Sequence, residues 1–305
     1  LLVGLDLERE DLMQNYELLL SDPLISLDDL VIGNRKIFQR QDQFKFSIDA
    51  VLLAHFAKCK PRASYVDLGT GTGILPLLAT VLGSGHVTGL ECNPIMADLA
   101  TASVAYNGLE EQIRIVAADY NQCRIGRLTP KDNRAIQAAH GTAEVPSSAR
   151  TDKPEQARTD KPEQAKDAFI YIGQKPFDGV LVNPPYYDAE AGLASQSEDV
   201  ALARQDGRTS LAVVAQSAKR LLKFGGNLWM VYPVGRLPHA MRVLEEEGFA
   251  LKRMRLVHSF PQDSAKLVLL EAKLGGKPGL QVEPPLYIYE QPGQYTEEVA
   301  SWYER

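Results

Sequence analysis

The sequence predicts an α/β fold: a mostly parallel sheet with an antiparallel pair at one edge and helices on both faces. Three observations predict it. Short apolar runs at Ser64–Leu68, His86–Leu90, Ile113–Ala117 and Phe177–Val182 alternate with stretches of helical spacing. Glycines or polar residues directly follow those runs, where open α/β sheets place their ligands. Two late strands, about 249–258 and 266–273, succeed one another with no helix between them, which requires an antiparallel pair.

In chain order, residues 1–27 form an acidic, weakly periodic extension, either a helix or a loose segment. Alternation through Leu30, Ile32, Ile37, Phe44 and Phe46 predicts a small β-hairpin over Asp28–Phe46. Ser47 reads as the N-cap of a helix carrying Ile48, Val51, Leu52 and Phe56. After the first strand, Ile74–Val81 is a helix. Asn93-Pro94 opens the next helix and Asn107-Gly108 closes it. Between 120 and 176 the regularity breaks. The octapeptide Ala149–Gln156 repeats without change as Ala157–Gln164. So polar a repeat, with a proline in each copy, cannot build a core, so about 130–168 reads as a surface insertion. A helix from about Thr209 to Lys223 then stops at Gly225-Gly226, Gly226–Tyr232 is a strand, and Leu237–Glu247 is a helix ended by Gly248. The expected organisation is an extension (1–27), one domain (28–275) and a tail packed on it (276–305).

With 305 residues and an apolar fraction of 45%, the chain can bury a full core. Its net charge is −6, which disfavours tight, sequence-blind duplex binding but allows a local basic face. Cys59, Cys92 and Cys123 are far apart, with no Cys/His spacing for zinc and no disulfide framework, so no metal is expected. No apolar run reaches membrane-spanning length and no signal-peptide pattern is present, so the expected location is the cytoplasm. The chain begins at Leu1 rather than Met, as a trimmed chain would. A monomer is the expected state.

Two motifs carry chemistry. The first strand runs into Asp67-Leu68-Gly69-Thr70-Gly71-Thr72-Gly73. A dinucleotide fingerprint requires G-x-G-x-x-G, and Ile74 or Pro76 stands where its last glycine should be. A carboxylate beside a glycine turn suits a ligand with a positive amino group better than a pyrophosphate. Taken alone, the turn fits an empty strand-to-helix connection equally well. However, Glu91 and Asp119 end the next two strands, where a carboxylate commonly takes ribose hydroxyls, and Asn183 ends the fourth. Four polar residues at four strand ends line one crevice. The second motif is Asn183-Pro184-Pro185-Tyr186. Its prolines fix φ and remove two backbone donors. The turn that remains offers the Asn183 amide oxygen, the Pro184 carbonyl and the Tyr186 ring. That set suits a flat ring bearing an exocyclic amino group.

These motifs resemble those of the class I S-adenosylmethionine-dependent methyltransferases that act on amino nitrogens. With Phe46-Ser47-Ile48-Asp49-Ala50-Val51-Leu52-Leu53 and the short C-terminal half, the chain is similar to the bacterial valine-tRNA adenine-37 N6-methyltransferases over roughly 28–119 and 177–300. The resemblance implies a Rossmann-like fold with a seven-stranded sheet, S-adenosyl-L-methionine as cofactor, and a tRNA anticodon loop as partner. It also implies residue roles. Gly69, Thr70, Gly71 and Gly73 lie under the cofactor, and Asp67 faces its amino group directly or through water. Glu91, with Asn93 nearby, holds the ribose. Asp119 and Tyr120 hold the adenine, and Phe46, Ser47 and Asp49 cover the methionine end. Asn183, Pro184, Pro185 and Tyr186 hold the target base, with Asn183 also bordering the cofactor. Candidate RNA contacts are Arg35, Lys36, Arg40, Lys45, Arg204, Arg208, Arg236 and the Lys252–Arg255 cluster.

The alternatives are an rRNA or DNA adenine methyltransferase, a protein glutamine N5-methyltransferase and a non-catalytic RNA-binding module. DNA enzymes usually carry a separate recognition region, and here most of the chain after the loop is needed to finish the sheet. The glutamine enzymes would be expected to carry a helical N-terminal domain, and an idle module predicts decay of the loop or the glycines.

Overall fold

The computed structural model describes residues 16–42, 48–126, 169–184 and 210–304. Phe46, Ser47, Lys45, Pro185, Tyr186, Arg204, Arg208 and the insertion read at 130–168 lie outside the described residues, as do residues 1–15.

A hairpin opens the described chain: β1 (Ile25–Asp29) pairs antiparallel with β2 (Lys36–Arg40), so its ladder starts a few residues before the expected Asp28. Helix α1 (Ile48–Ala57) follows. Then come β3 (Ser64–Leu68), α2 (Ile74–Val81), β4 (His86–Glu91), α3 (Pro94–Tyr106) and β5 (Ile113–Ala117). Two short strands the sequence did not reveal, β6 (Cys123–Ile125) and β7 (Ile170–Gly173), form a small parallel pair of their own. The main sheet continues with β8 (Phe177–Val182), α4 (Leu211–Leu221), β9 (Leu222–Pro233), α5 (Leu237–Glu246), β10 (Phe249–His258) and β11 (Leu267–Leu274).

The main sheet runs β5-β4-β3-β8-β9-β11-β10, seven strands in which β11 is antiparallel to both neighbours and the rest are parallel. Two two-residue strands of the tail, β12 (Gln281–Val282) and β13 (Leu286–Tyr287), then pair parallel with β10. Beyond them lie a small β14 (Tyr289–Gln291) and β15 (Gln294–Tyr295) hairpin and helix α6 (Glu297–Tyr303).

Side-chain alternation along the strands builds a core on each face. Leu181, Trp229, Val231 and Leu269 point to α1, α2 and the tail. Val180, Val182, Leu228, Met230 and Leu270 point to α4 and α5. On the far side of α3, Met96, Leu99 and Ala102 pack with Phe38 and Tyr16. The buried Ser103 hydroxyl accepts the Phe38 N–H at 2.9 Å, and Asn107 bonds both the N–H and the carbonyl of Lys36. The hairpin is thereby fixed to α3.

One boundary differs from expectation. Helix α4 ends at Leu221 and the strand starts at Leu222, ahead of the two glycines. The Leu222–Phe177 pairing draws the chain into the sheet at once, and Gly225, at φ 76°, absorbs the register shift that follows.

Candidate active site

The glycine turn is a backbone structure. Gly69, Gly71 and Gly73 hold φ values of 75°, 57° and 90°, in the left-handed region that side-chain-bearing residues rarely adopt. The threonines between them, Thr70 and Thr72, turn inward and are buried. The N–H groups of Gly69 and Thr70 both donate to the Leu90 carbonyl at 2.9 Å, which ties the turn to β4. A Cβ placed on Gly69 would meet nothing within 4 Å, and on Gly71 only the Met96 methyl at 4.0 Å. A ligand therefore has room to lie against bare backbone there. Inside the turn the space is full: a Cβ on Gly89 would stand 2.8 Å from Thr70 Cγ2 and 2.9 Å from Ile115 Cδ1. Gly89 was not singled out from the sequence, although a glycine inside a strand pattern is the signal for such close approach.

Asp67 sits behind the turn, 1% exposed. The Thr70 hydroxyl is close enough to favour its charged form, but no hydrogen bond of good geometry reaches either carboxylate oxygen. Burial pushes its pKa up to about 7, Thr70 partly offsets this, and the Glu91 charge adds to the rise. Positive charge arriving in front of the turn would relieve that cost. A cofactor with an ammonium group fits this electrostatics, while a pyrophosphate does not.

Glu91, the last residue of β4, uses both oxygens on backbone. Oε2 accepts the Gly71 N–H at 2.8 Å and Oε1 accepts the Asn93 N–H at 2.9 Å. A carboxylate offers about four lone-pair sites, so acceptor capacity remains. The Asn93 side chain caps α3, accepting from the N–H groups of Ile95 at 3.0 Å and Met96 at 3.4 Å. Asp119 lies two residues past the end of β5 instead of at it, and its Oδ1 accepts the Asn121 N–H at 2.8 Å. Tyr120 packs against the α4 side of the core; burial, then the Asp119 charge, raise the pKa of its hydroxyl.

The fourth corner comes from β8. Leu181 pairs with Asp67 across the sheet, so Asn183, two residues on, comes level with Gly69. Asn183 is half-buried and Pro184 buried. Asp49 lies in the first turn of α1. The structure thus gathers Asp67, the three glycines, Thr70, Glu91 and Asn183 around one crevice edge. Among the described residues, no group of three His, Cys, Asp or Glu side chains is placed to hold a metal. No helix among them is long and apolar enough to cross a membrane.

A glycine turn after the first strand of the domain, acids after the next two, and a seven-stranded sheet with an antiparallel pair together define the class I S-adenosylmethionine-dependent methyltransferase fold. A solved structure from Agrobacterium tumefaciens, described as a predicted O-methyltransferase, shares that fold. Its TM-score is 0.54 at 19% identity, covering 84% of this chain and 95% of that one. A family model described as ribosomal protein L11 methyltransferase (PrmA) matches residues 49–128. Over most of its length the chain is similar to tRNA1(Val) (adenine(37)-N6)-methyltransferases. The protein of that name from Flavobacteriaceae bacterium (strain 3519-10) is 21% identical over 262 residues, 85% of this chain and 90% of the relative. The one from Aliivibrio fischeri is 23% identical over 248 residues, 81% and 84% of the two chains.

Proposed function

We propose that this chain is an S-adenosylmethionine-dependent methyltransferase acting on the exocyclic N6 of an adenine in tRNA, at position 37 beside the anticodon of a valine tRNA. The observation that carries the reading is the register of β8 on β3, which sets Asn183 beside the open backbone of the glycine turn. Similarity to the tRNA1(Val) enzymes over more than four-fifths of the chain supports the choice of substrate.

Bound S-adenosylmethionine supplies a methyl group already activated by its sulfonium. The protein's part is to bind and orient. Gly69 and Gly71 leave space for the cofactor against the backbone. Asp67 would favour its ammonium, and Glu91 would offer its remaining lone pairs to its ribose hydroxyls. Asp119 and Tyr120, just past the end of β5, would hold its adenine. The Asn183 amide oxygen and the Pro184 carbonyl accept the two N–H groups of the target amine. An adenine N6 lone pair is delocalised into the ring and is a poor nucleophile. Holding both N–H groups favours a pyramidal nitrogen and stabilises the positive charge that grows during attack. Positioning for in-line transfer supplies much of the remaining acceleration. The proton leaves after the methyl arrives, so no general base is required beforehand. The adenine must be unstacked to reach the loop, which is easiest in an anticodon loop.

The test is transfer of tritiated methyl to total tRNA followed by nucleoside mass spectrometry. N6-methyladenosine in a valine tRNA is the expected product; methylated cytosine or labelled protein would overturn the reading.

A further inference from the structure

Several basic residues of the chain are neutralised by carboxylates. Arg40 pairs with Asp42 and Asp22, Arg253 with Glu271 and Glu283, and Arg255 with Glu298. Lys36 pairs with Asp29. These four are among the candidates the sequence offers for RNA contacts. Arg124 and Arg220 differ. Among the described residues, no carboxylate lies within ion-pair distance of either.

The two guanidinium groups are set side by side by a shared acceptor. Arg124 donates to the Asn121 carbonyl at 2.8 Å, and Arg220 donates to the same oxygen at 3.2 Å. Each is braced further: Arg124 by the Cys123 carbonyl at 2.8 Å, Arg220 by the Ser217 hydroxyl at 2.7 Å. Ser217 in turn donates to the Asn121 side chain at 3.3 Å. Among the described residues, Arg124 donates only through Nη1, so its Nε/Nη2 edge stays free; Arg220 donates through Nη2, which leaves the hydrogens of its Nη1 as donors. The Nε of Arg220 is buried and bonded to nothing. Two adjacent cations in partial burial, hydrogen-bonded only to neutral groups, repel one another; burial and the Arg124 charge lower the Arg220 pKa, and the more distant Asp119 and Glu247 carboxylates offset this only in part. A bridging anion would reverse that cost, and guanidinium forks match phosphate oxygens in geometry. Arg124 also lies over the Phe169 ring at 4.1 Å, and that ring is 44% exposed. An exposed aromatic beside paired cations is the combination single-stranded nucleic acid recognises, phosphate on the cations and base against the ring. Asn121, which organises the pair, is two residues past Asp119.

We propose that Arg124 and Arg220 form a phosphate site for the RNA backbone, on the α4 face of the sheet beside the loop that carries Asp119. This rests on the reading of RNA as the substrate. The experiment follows tRNA binding by fluorescence anisotropy across a salt series, for the wild type, Arg124→Gln, Arg220→Gln and Arg124→Lys. Each glutamine variant is expected to lose roughly tenfold in affinity at low salt and to flatten the log–log salt slope by about one, with S-adenosylmethionine affinity unchanged. Arg124→Lys keeps the charge and most of the slope. Unchanged slopes in folded variants, while the wild type binds tRNA, overturn this site alone. A wild type without affinity for tRNA overturns the substrate reading and the site with it. Should the glutamine variants fail to fold, phenylglyoxal modification of the wild type read by peptide mass spectrometry replaces them. Protection of Arg124 by tRNA is the expected result; no protection, or protection by inorganic phosphate but not by tRNA, overturns the proposal.

Discussion

Glu91 Oε2 accepts the Gly71 N–H at 2.8 Å, so the carboxylate ending β4 holds the very backbone against which a cofactor would lie. Its other oxygen fixes the Asn93 N–H at the entrance to α3. One side chain therefore sets the shape of the glycine turn and the start of the next helix before any ligand is bound. Pre-organisation of this kind lowers the cost of ordering a site on binding.

Glu91→Ala should weaken S-adenosylmethionine binding by ~100-fold, through loss of two charge-assisted hydrogen bonds as well as any ligand contact. Glu91→Gln, which preserves shape and one acceptor, should lose less. Titration calorimetry checks both. Equal affinities for Glu91→Ala and the wild type would mean that the turn keeps its form without the carboxylate.

Asp67 makes ligand-free stability depend on pH. Its folded-state pKa of about 7 lies above the unfolded value of 3.8, so the native state holds the extra proton between those values. Its contribution to stability therefore falls as pH rises through that window and is constant above it. Asp67→Asn should remove that part of the slope and raise Tm at pH 8 by on the order of 5 °C relative to wild type. It should also weaken cofactor binding. Parallel Tm–pH curves for the two proteins would show that Asp67 ionises normally.

Asn183→Ala should cut methyl transfer by at least ~100-fold, the loss typical of removing one group that stabilises developing charge. Cofactor affinity should stay within a few-fold, since the glycine turn and Glu91 are untouched. Single-turnover transfer and calorimetry on the same preparation separate the two effects. A large loss of cofactor affinity would move Asn183 into the cofactor site.

Gly89→Ala places a methyl group within 3 Å of Thr70 and Ile115. Overpacking of this kind costs about 1–3 kcal/mol. Thr70 carries the turn, so cofactor binding should weaken along with stability in denaturant unfolding. A variant that keeps full stability would mean that Thr70 can rotate away freely.

Arg253 joins three elements. It meets Glu271 on β11 at 2.7 Å, Glu283 in the tail at 3.0 Å and the Phe56 carbonyl at the end of α1 at 2.6 Å. It is largely buried, so Arg253→Ala leaves two carboxylates facing each other and should cost ~3 kcal/mol or more. Urea unfolding measures this, and a change under ~1 kcal/mol would show the network to be solvated.

The strands and helices around the crevice were legible because each βα unit announces itself locally. Ser64–Leu68, Ile113–Ala117 and Phe177–Val182 are bounded by glycine and polar residues, and the observed strands have those limits. The alternate glycines of 69–73 were equally plain, since left-handed backbone at every second residue demands them. Other features arise only in three dimensions. β6 and β7 have three and four residues, too few for periodicity, and they pair across a long stretch of chain. The sequence treats every arginine alike; only folding sets Arg253 and Arg255 among glutamates and leaves Arg124 and Arg220 without an ion pair among the described residues. Burial of Asp67 is likewise a property of its neighbours.

The ring of His55 stacks on Trp302 at 4.3 Å and 11°, and β12 and β13 cover β10. On the ribosome this sets an order of events. Residue 55 emerges early, yet its partner is made some 250 residues later, a delay of roughly 10 to 50 s at ordinary elongation rates. Once made, β10 presents an open hydrogen-bonding edge until residues 281–287 follow it, and such an edge is the feature most prone to pairing with another chain. The tail thus seals the nascent sheet only after all its other strands have been made.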